Sequence, residues 1–220
     1  MSPPGRPKGE YRSAQREGTP VSPPPIVVYL HGFRSSPSSI KATRLIEYVA
    51  ALPAAVRPRV HVPALTDRPA AAIASVVEWI ARSAGGATPA FVGSSLGGYY
   101  ATHLAERYGA RAVLVNPAIR PYDDLEPWRG VQTNLYTGAA FDVTQAHFDE
   151  LAALEVARIS RPDRYFLLVE TGDEVLDYRE AVAYYGGAWQ YVRGGGDHAF
   201  TDFVAQLPAI LRFCGVEVPR

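Results

Sequence analysis

Ala90-Phe91-Val92-Gly93-Ser94-Ser95-Leu96-Gly97-Gly98-Tyr99-Tyr100-Ala101-Thr102-His103-Leu104 runs from a short apolar, β-prone segment through a glycine-crowded turn into a helical one. Gly93, Gly97 and Gly98 surround Ser95 because a sharp strand-to-helix turn leaves little room for side chains. This G-x-S-x-G arrangement is a nucleophile elbow: it lifts Ser95 clear of a sheet, where a histidine can take its proton. A bare G-x-S-x-G recurs by chance, so its meaning rests on the elements around it.

Those elements alternate. Residues 26–30, Ile-Val-Val-Tyr-Leu, are an unbroken β-prone run of the fully buried kind. A loop follows, His31-Gly32-Phe33-Arg34-Ser35-Ser36-Pro37. Ser38 then caps a helix expected over 38–52, with Ile40, Arg44, Ile46 and Val49 on neighbouring faces. Residues 59–62 are a second short strand, and 70–84 a helix with Ile73, Val76, Val77 and Ile80 at helical spacing. The third strand ends at Gly93, and the elbow helix reaches about residue 108. Strands are expected over 112–115, 165–170 and 189–192, a helix capped by Asp177 over 178–185, and a closing helix over 199–214.

This order predicts an α/β fold: a compact, doubly wound, mainly parallel sheet of about six strands flanked by helices. Ligands of such sheets bind at the carboxyl ends of the strands. His31, Ser95, Asn116, Asp173 and Asp197-His198 all fall there.

Residues 1–25 are rich in proline, glycine and charge and read as a disordered tail, leaving 26–220 as one domain. Residues 116–157 interrupt the alternation on the serine edge and contain a helix expected over 144–156. Two readings of this insertion stand side by side. It is a small lid over the site, or an ordinary long connection packed by Trp128, Tyr136 and Phe141.

The serine needs a base. Of His31, His61, His103, His147 and His198, only His198 follows the last strand, on the flexible loop Gly194-Gly195-Gly196-Asp197. The acid is expected just after the penultimate strand, in Thr171-Gly172-Asp173-Glu174-Val175-Leu176-Asp177. Asp173 follows the turn glycine directly and is the first choice; Asp177 suits a helix cap better, and Glu174 is third. Serine, acid and histidine then fall in the chain order of α/β-hydrolases. Two backbone N–H groups must meet the carbonyl oxygen in the transition state. Leu96 and Phe33 are the expected oxyanion-hole donors, with His31 bracing the Phe33 loop.

Bulk properties exclude other classes. Twenty-two basic and twenty-two acidic side chains cancel, which gives no electrostatic case for nucleic acid. The single cysteine, Cys214, excludes an internal disulfide framework and reads as a small buried side chain. No apolar stretch is long enough for a membrane span and no secretory segment is visible, so a cytoplasmic location is expected. No metal-ligand spacing, Walker loop or dinucleotide fingerprint is present, and neither metal nor cofactor is expected. The expected partner is a small-molecule acyl ester; no pattern sets an oligomeric state.

Several blocks resemble the YqiA/YcfP-type esterase family of bacteria. They are Tyr29-Leu30-His31-Gly32-Phe33 with Ser35-Ser36-Pro37, Val92 through Thr102, Val115-Asn116-Pro117-Ala118 with Arg120-Pro121, Tyr136-Thr137-Gly138, Thr171 through Tyr178 with Ala181 through Tyr185, and Gly195-Gly196-Asp197-His198-Ala199-Phe200. They span residues 26–213. The resemblance implies an α/β-hydrolase with esterase activity on short acyl esters, extending to acyl-CoA thioesters. It carries the nucleophile onto Ser95, the base onto His198 and the acid onto Asp173. The chain departs from the family in its proline-rich tail and in Asp197, where relatives carry asparagine. The expectation is therefore a serine carboxylesterase working through an acyl-enzyme. An acyl-CoA thioesterase or acyltransferase with the same triad, and a non-catalytic binding protein of the same fold, are the alternatives.

Overall fold

The computed structural model describes residues 24–219. The tail expected over 1–25 lies outside the described residues except for its last two.

Six strands form one sheet in the order β2-β1-β3-β4-β7-β8, all neighbours parallel. They are β1 (Ile26–Leu30), β2 (Arg59–His61), β3 (Ala90–Ser94), β4 (Ala112–Val115), β7 (Tyr165–Glu170) and β8 (Trp189–Arg193). Every residue of β1, β3 and β4 is buried, as the middle of a sheet covered on both faces demands.

The two-residue period sorts each strand between two cores. Val28, Leu30, Phe91, Leu114, Leu167 and Val169 face one side. There they meet α2 (Pro69–Ser83), α3 (Leu96–Tyr108), α6 (Tyr178–Tyr184) and the end of α5 (Gln145–Ala153). Val27, Tyr29, Val92, Val113, Val115 and Leu168 face the other, against α1 (Ile40–Ala51) and α7 (Phe203–Phe213). The parallel strands place all their carboxyl ends on one edge, where the loops carrying Ser95, Asp173 and His198 emerge.

Three local expectations change. Helix α1 spans Ile40–Ala51, and its N-cap is one residue later than expected, Ser39 rather than Ser38. A turn precedes it, in which the Ser36 carbonyl accepts the Ser39 N–H at 3.0 Å and the Ser36 hydroxyl accepts the Ser38 N–H at 3.0 Å. Helix α7 starts at Phe203, not near 199, because Phe200 is left-handed (φ 53°) and stops a helix from passing through it. The insertion opens with a short helix, α4 (Pro121–Asp124), and contains an antiparallel hairpin, β5 (Gly130–Thr133) with β6 (Ala140–Val143). The helix after it, α5, ends at Ala153 rather than 156.

Candidate active site

The elbow is built from backbone contact. A Cβ on Gly93 would lie 2.1 Å from the Gly97 carbonyl oxygen, and one on Gly97 would lie 2.0 Å from that of Leu30. Only glycine lets β1, β3 and the start of α3 come this close. Ser95 sits at φ 55°, ψ −125°, a region that costs an L-residue about 1–3 kcal/mol. Its N–H donates to the Val115 carbonyl at 3.0 Å, and its carbonyl accepts from Gly98 and Ala118 at 2.8 and 3.2 Å. The strain is thus held from β4 and from α3, and the hydroxyl is left partly exposed.

His198 Nε2 lies 3.1 Å from Ser95 Oγ. On the other side of the ring, Nδ1 lies 2.9 and 3.0 Å from the two carboxylate oxygens of Asp173. An ionised carboxylate only accepts, so Nδ1 carries the proton and Nε2 presents its lone pair to the serine. The Asp173 side chain is 2 % exposed. Burial pushes its carboxyl up. The hydrogen bond from His198, with those from the N–H groups of Leu176 and Val175, outweighs that push and holds it below its ordinary value.

The loop bearing His198 is fastened from several elements. Glu170, at the end of β7 and 0 % exposed, accepts the Asp197 N–H at 2.8 Å and pairs with Arg193 at 2.6 Å. Gly196 is left-handed (φ 75°), and a Cβ there would lie 2.0 Å from the Glu170 carboxylate. Asn116 donates its amide to the carbonyl oxygens of Asp197 and His198 and accepts the Glu170 N–H at 3.0 Å. Glu174 accepts the His198 N–H at 2.9 Å, and Lys41 Nζ donates to the Ala199 carbonyl at 2.6 Å. The acid competitors are thereby placed: Glu174 holds the base loop's backbone, and Asp177 caps α6 through the Arg179 N–H at 2.9 Å.

The loop after β1 passes beside the nucleophile, with a Cβ on Gly32 lying 3.2 Å from that of Ser95. Neither the Phe33 N–H nor the Leu96 N–H has an acceptor among the described residues. Arg34 follows at φ 55°. The hairpin holds this conformation: the Leu135 N–H donates to the Arg34 carbonyl, Arg34 Nε to the Thr133 carbonyl, and the Asn134 amide to the Ser35 carbonyl, at 2.9, 2.9 and 2.7 Å. Phe33 packs edge-on against Trp128 and Phe141. Insertion and loop are one packed unit. Trp128 and Phe141 therefore serve this packing, while Leu135 is 70 % exposed.

The remaining histidines bond or stack away from Ser95. His31 is buried, with Nε2 accepting the Leu65 N–H and Nδ1 facing the Gly32 carbonyl, a brace for the loop. His61 stacks on Trp79, His103 bonds the Leu154 carbonyl, and His147 closes the N-terminus of α5 with Thr144.

A cavity of about 550 Å³ opens beside Ser95 and His198, walled by Tyr29, Ile40, Leu135 and Val204 among others. A second, of about 280 Å³, lies behind the Gly32–Phe33 loop against Leu96 and Tyr100. Among the described residues no cluster of three His, Cys, Asp or Glu side chains is gathered as a metal site, and no helix is long and apolar enough to cross a membrane. Sequence reasoning missed the tethering roles of Asn116 and Glu170, and it missed Lys41 altogether. Lys8 and Lys41 are the two lysines beside twenty arginines, a signal that was available.

Residues 26–215 match the model of a family described as Uncharacterised protein family (UPF0227), and the resemblance to YqiA/YcfP-type proteins is to this family. Among solved structures, one from Agrobacterium vitis S4 is 18 % identical with a TM-score of 0.69, over 88 % of this chain and 91 % of that one. Alpha/beta hydrolase domain-containing protein 10 from mouse is 15 % identical with a TM-score of 0.65, over 86 % and 88 %. A monoacylglycerol lipase of Paleococcus ferrophilus is 16 % identical with a TM-score of 0.62, over 87 % and 96 %. At these identities the likeness is one of fold, the α/β-hydrolase fold.

Proposed function

We propose that this chain, which belongs to the family described as Uncharacterised protein family (UPF0227), is a serine carboxylesterase acting on short-chain acyl esters. The observation that carries the reading is the unbroken chain of contacts from Ser95 Oγ through the His198 imidazole to Asp173. Solved structures sharing the fold include proteins named as esterases and lipases, which agrees with a hydrolytic role.

In this reading Ser95 Oγ attacks the acyl carbonyl carbon as His198 Nε2 takes its proton. The carbonyl oxygen gains negative charge and is met by the N–H groups of Phe33 and Leu96. Asp173 keeps the imidazole in the productive tautomer and stabilises the imidazolium. The tetrahedral intermediate collapses, the leaving alcohol takes the proton from His198, and the acyl group stays on Ser95. Water, deprotonated by His198, then cleaves the acyl-enzyme and restores the serine. The cavity beside Ser95, with Ile40, Leu135 and Val204 on its wall, offers an apolar surface to a short acyl chain.

A fluorophosphonate probe tests the nucleophile: wild type is labelled and Ser95→Ala is not. Equal labelling of both overturns the assignment. A p-nitrophenyl ester series of graded acyl length, run beside a matched thioester, then ranks substrates by kcat/KM.

A further inference from the structure

Lys41 is the single lysine among the described residues, in a chain whose other basic groups there are arginines. It stands in the first turn of α1 and lines the cavity that holds Ser95 and His198. Its ammonium is partly buried, yet no carboxylate lies within ion-pair distance among the described residues. One of its three protons goes to the Ala199 carbonyl, and two remain. Ser39, at the N-cap and on the same wall, is 7 % exposed; its hydroxyl stands beside the buried Tyr29 phenol but makes no hydrogen bond of good geometry among the described residues. The N–H groups of Ile40, Lys41 and Ala42 also lack acceptors there, as at any helix start.

An ammonium without an ion pair, a buried hydroxyl without a hydrogen bond of good geometry and the positive end of a twelve-residue helix thus meet at one wall of the cavity. Each has hydrogen-bond donor capacity left over: two protons of the ammonium, the Ser39 hydroxyl and the first N–H groups of the helix.

We infer that Lys41, Ser39 and the N-terminus of α1 form a subsite for a carboxylate or phosphate carried by the ester substrate. Burial pushes the Lys41 ammonium toward losing its proton, while the fields of Asp197, Asp173 and Glu170 oppose that loss. None of these carboxylates lies within ion-pair distance of Lys41, but Asp197, the foremost of them, has a buried Oδ1 without a hydrogen-bond partner and its field opposes an incoming anion. Asp173 is engaged by His198 and Glu170 by Arg193 and Asp197, while Glu174, also on the cavity wall, is engaged by the His198 N–H. The substrate class is therefore an ester with an apolar portion and one anionic group.

The inference rests on the esterase reading, and the test separates the two. Full-length wild type, Lys41→Met and Ser39→Ala are assayed with three charged esters, each beside an uncharged counterpart of similar size. Mono-p-nitrophenyl glutarate carries a carboxylate on the acyl side, 3-acetoxypropanoate a carboxylate on the alcohol side, and 2-acetoxyethyl phosphate a phosphate there. In at least one pair, wild type should favour the charged ester by about tenfold in kcat/KM, the scale of one charge-assisted hydrogen bond. Lys41→Met should abolish that preference, and Ser39→Ala should reduce it a few-fold. A ratio near one in every pair overturns the inference. So does a loss in Lys41→Met shared equally by charged and uncharged esters, which would mark Lys41 as only a brace for the Ala199 loop. Calorimetric binding of the same compounds to Ser95→Ala, with and without Lys41→Met, gives a readout free of turnover. A Lys41-dependent preference there, in a protein whose wild type hydrolyses none of the esters, overturns the esterase reading and leaves the subsite standing.

Discussion

Asn116 donates its side-chain amide to the backbone carbonyl of His198 at 3.2 Å, so the residue that closes β4 holds the imidazole's loop in place. The same side chain bonds the Asp197 carbonyl and receives the N–H of Glu170. It joins the ends of three neighbouring strands, β4, β7 and β8, and is itself almost wholly buried.

Asn116→Ala should therefore lower kcat by tenfold or more with little change in KM, since substrate contacts are untouched while the base loses its support. It also strips the buried Glu170 N–H of its acceptor, which costs about 1–3 kcal/mol. Steady-state kinetics and urea unfolding read the two effects separately. An unchanged kcat with lowered stability would reduce Asn116 to a purely structural tie.

Asp173→Asn should reduce kcat by about 10³–10⁴-fold, because an amide cannot hold the imidazole in the tautomer that presents Nε2 to the serine. Asp177→Asn should stay within about threefold of wild type, asparagine being an equally good helix cap. The reverse outcome in parallel kinetic assays would move the acid to Asp177.

The same carboxylate shapes acid stability. Its folded value is depressed below the unfolded one, about 3.9. The stability it contributes is fully present above that value and is lost as pH falls through the folded one. Urea midpoints measured from pH 7 down to 3 should hold level and then fall below about pH 4. Asp173→Asn should show a shallower fall over that window; an identical curve would mean that other carboxylates carry the loss.

Asn134→Ala removes the hydrogen bond that ties the hairpin to Ser35. Deleting an oxyanion-hole donor costs about 10²–10³ in kcat. Loosening the loop that presents one should cost less, about tenfold, with KM nearly constant. A change confined to KM would instead place Asn134 in substrate binding.

Gly97→Ala tests the packing of the elbow. The new methyl meets the Leu30 backbone, which cannot turn aside as a side chain would. The variant should be destabilised by several kcal/mol, on the scale of severe overpacking, and should not be labelled by a fluorophosphonate. A thermal midpoint within a few degrees of wild type would show that β1 can shift.

The sheet was readable because buried parallel strands are unbroken apolar runs, and β1, β4 and β7 lie where those runs lie. Ser95 and Asp173 drew attention because each follows closely on such a run, and His198 because it is the one histidine beyond the last strand. The β5–β6 hairpin was not: Gly-Val-Gln-Thr and Ala-Phe-Asp-Val are short, mostly exposed segments without a strong period. The bonds of Asn116 to residues 81 and 82 positions away leave no local pattern. Nor does a left-handed Phe200, which cuts α7 short in a sequence that otherwise invites a longer helix.

Because all six strands run the same way, residue 24 stands at the edge of the sheet opposite the strands' carboxyl ends. The five residues of β1, about 16 Å of extended chain, separate that edge from the loops above. An affinity tag, a fluorescent fusion or a tether to a solid support joined directly to Pro24, in place of residues 1–23, would thus hold the protein by its underside, with the opening to the serine facing outward.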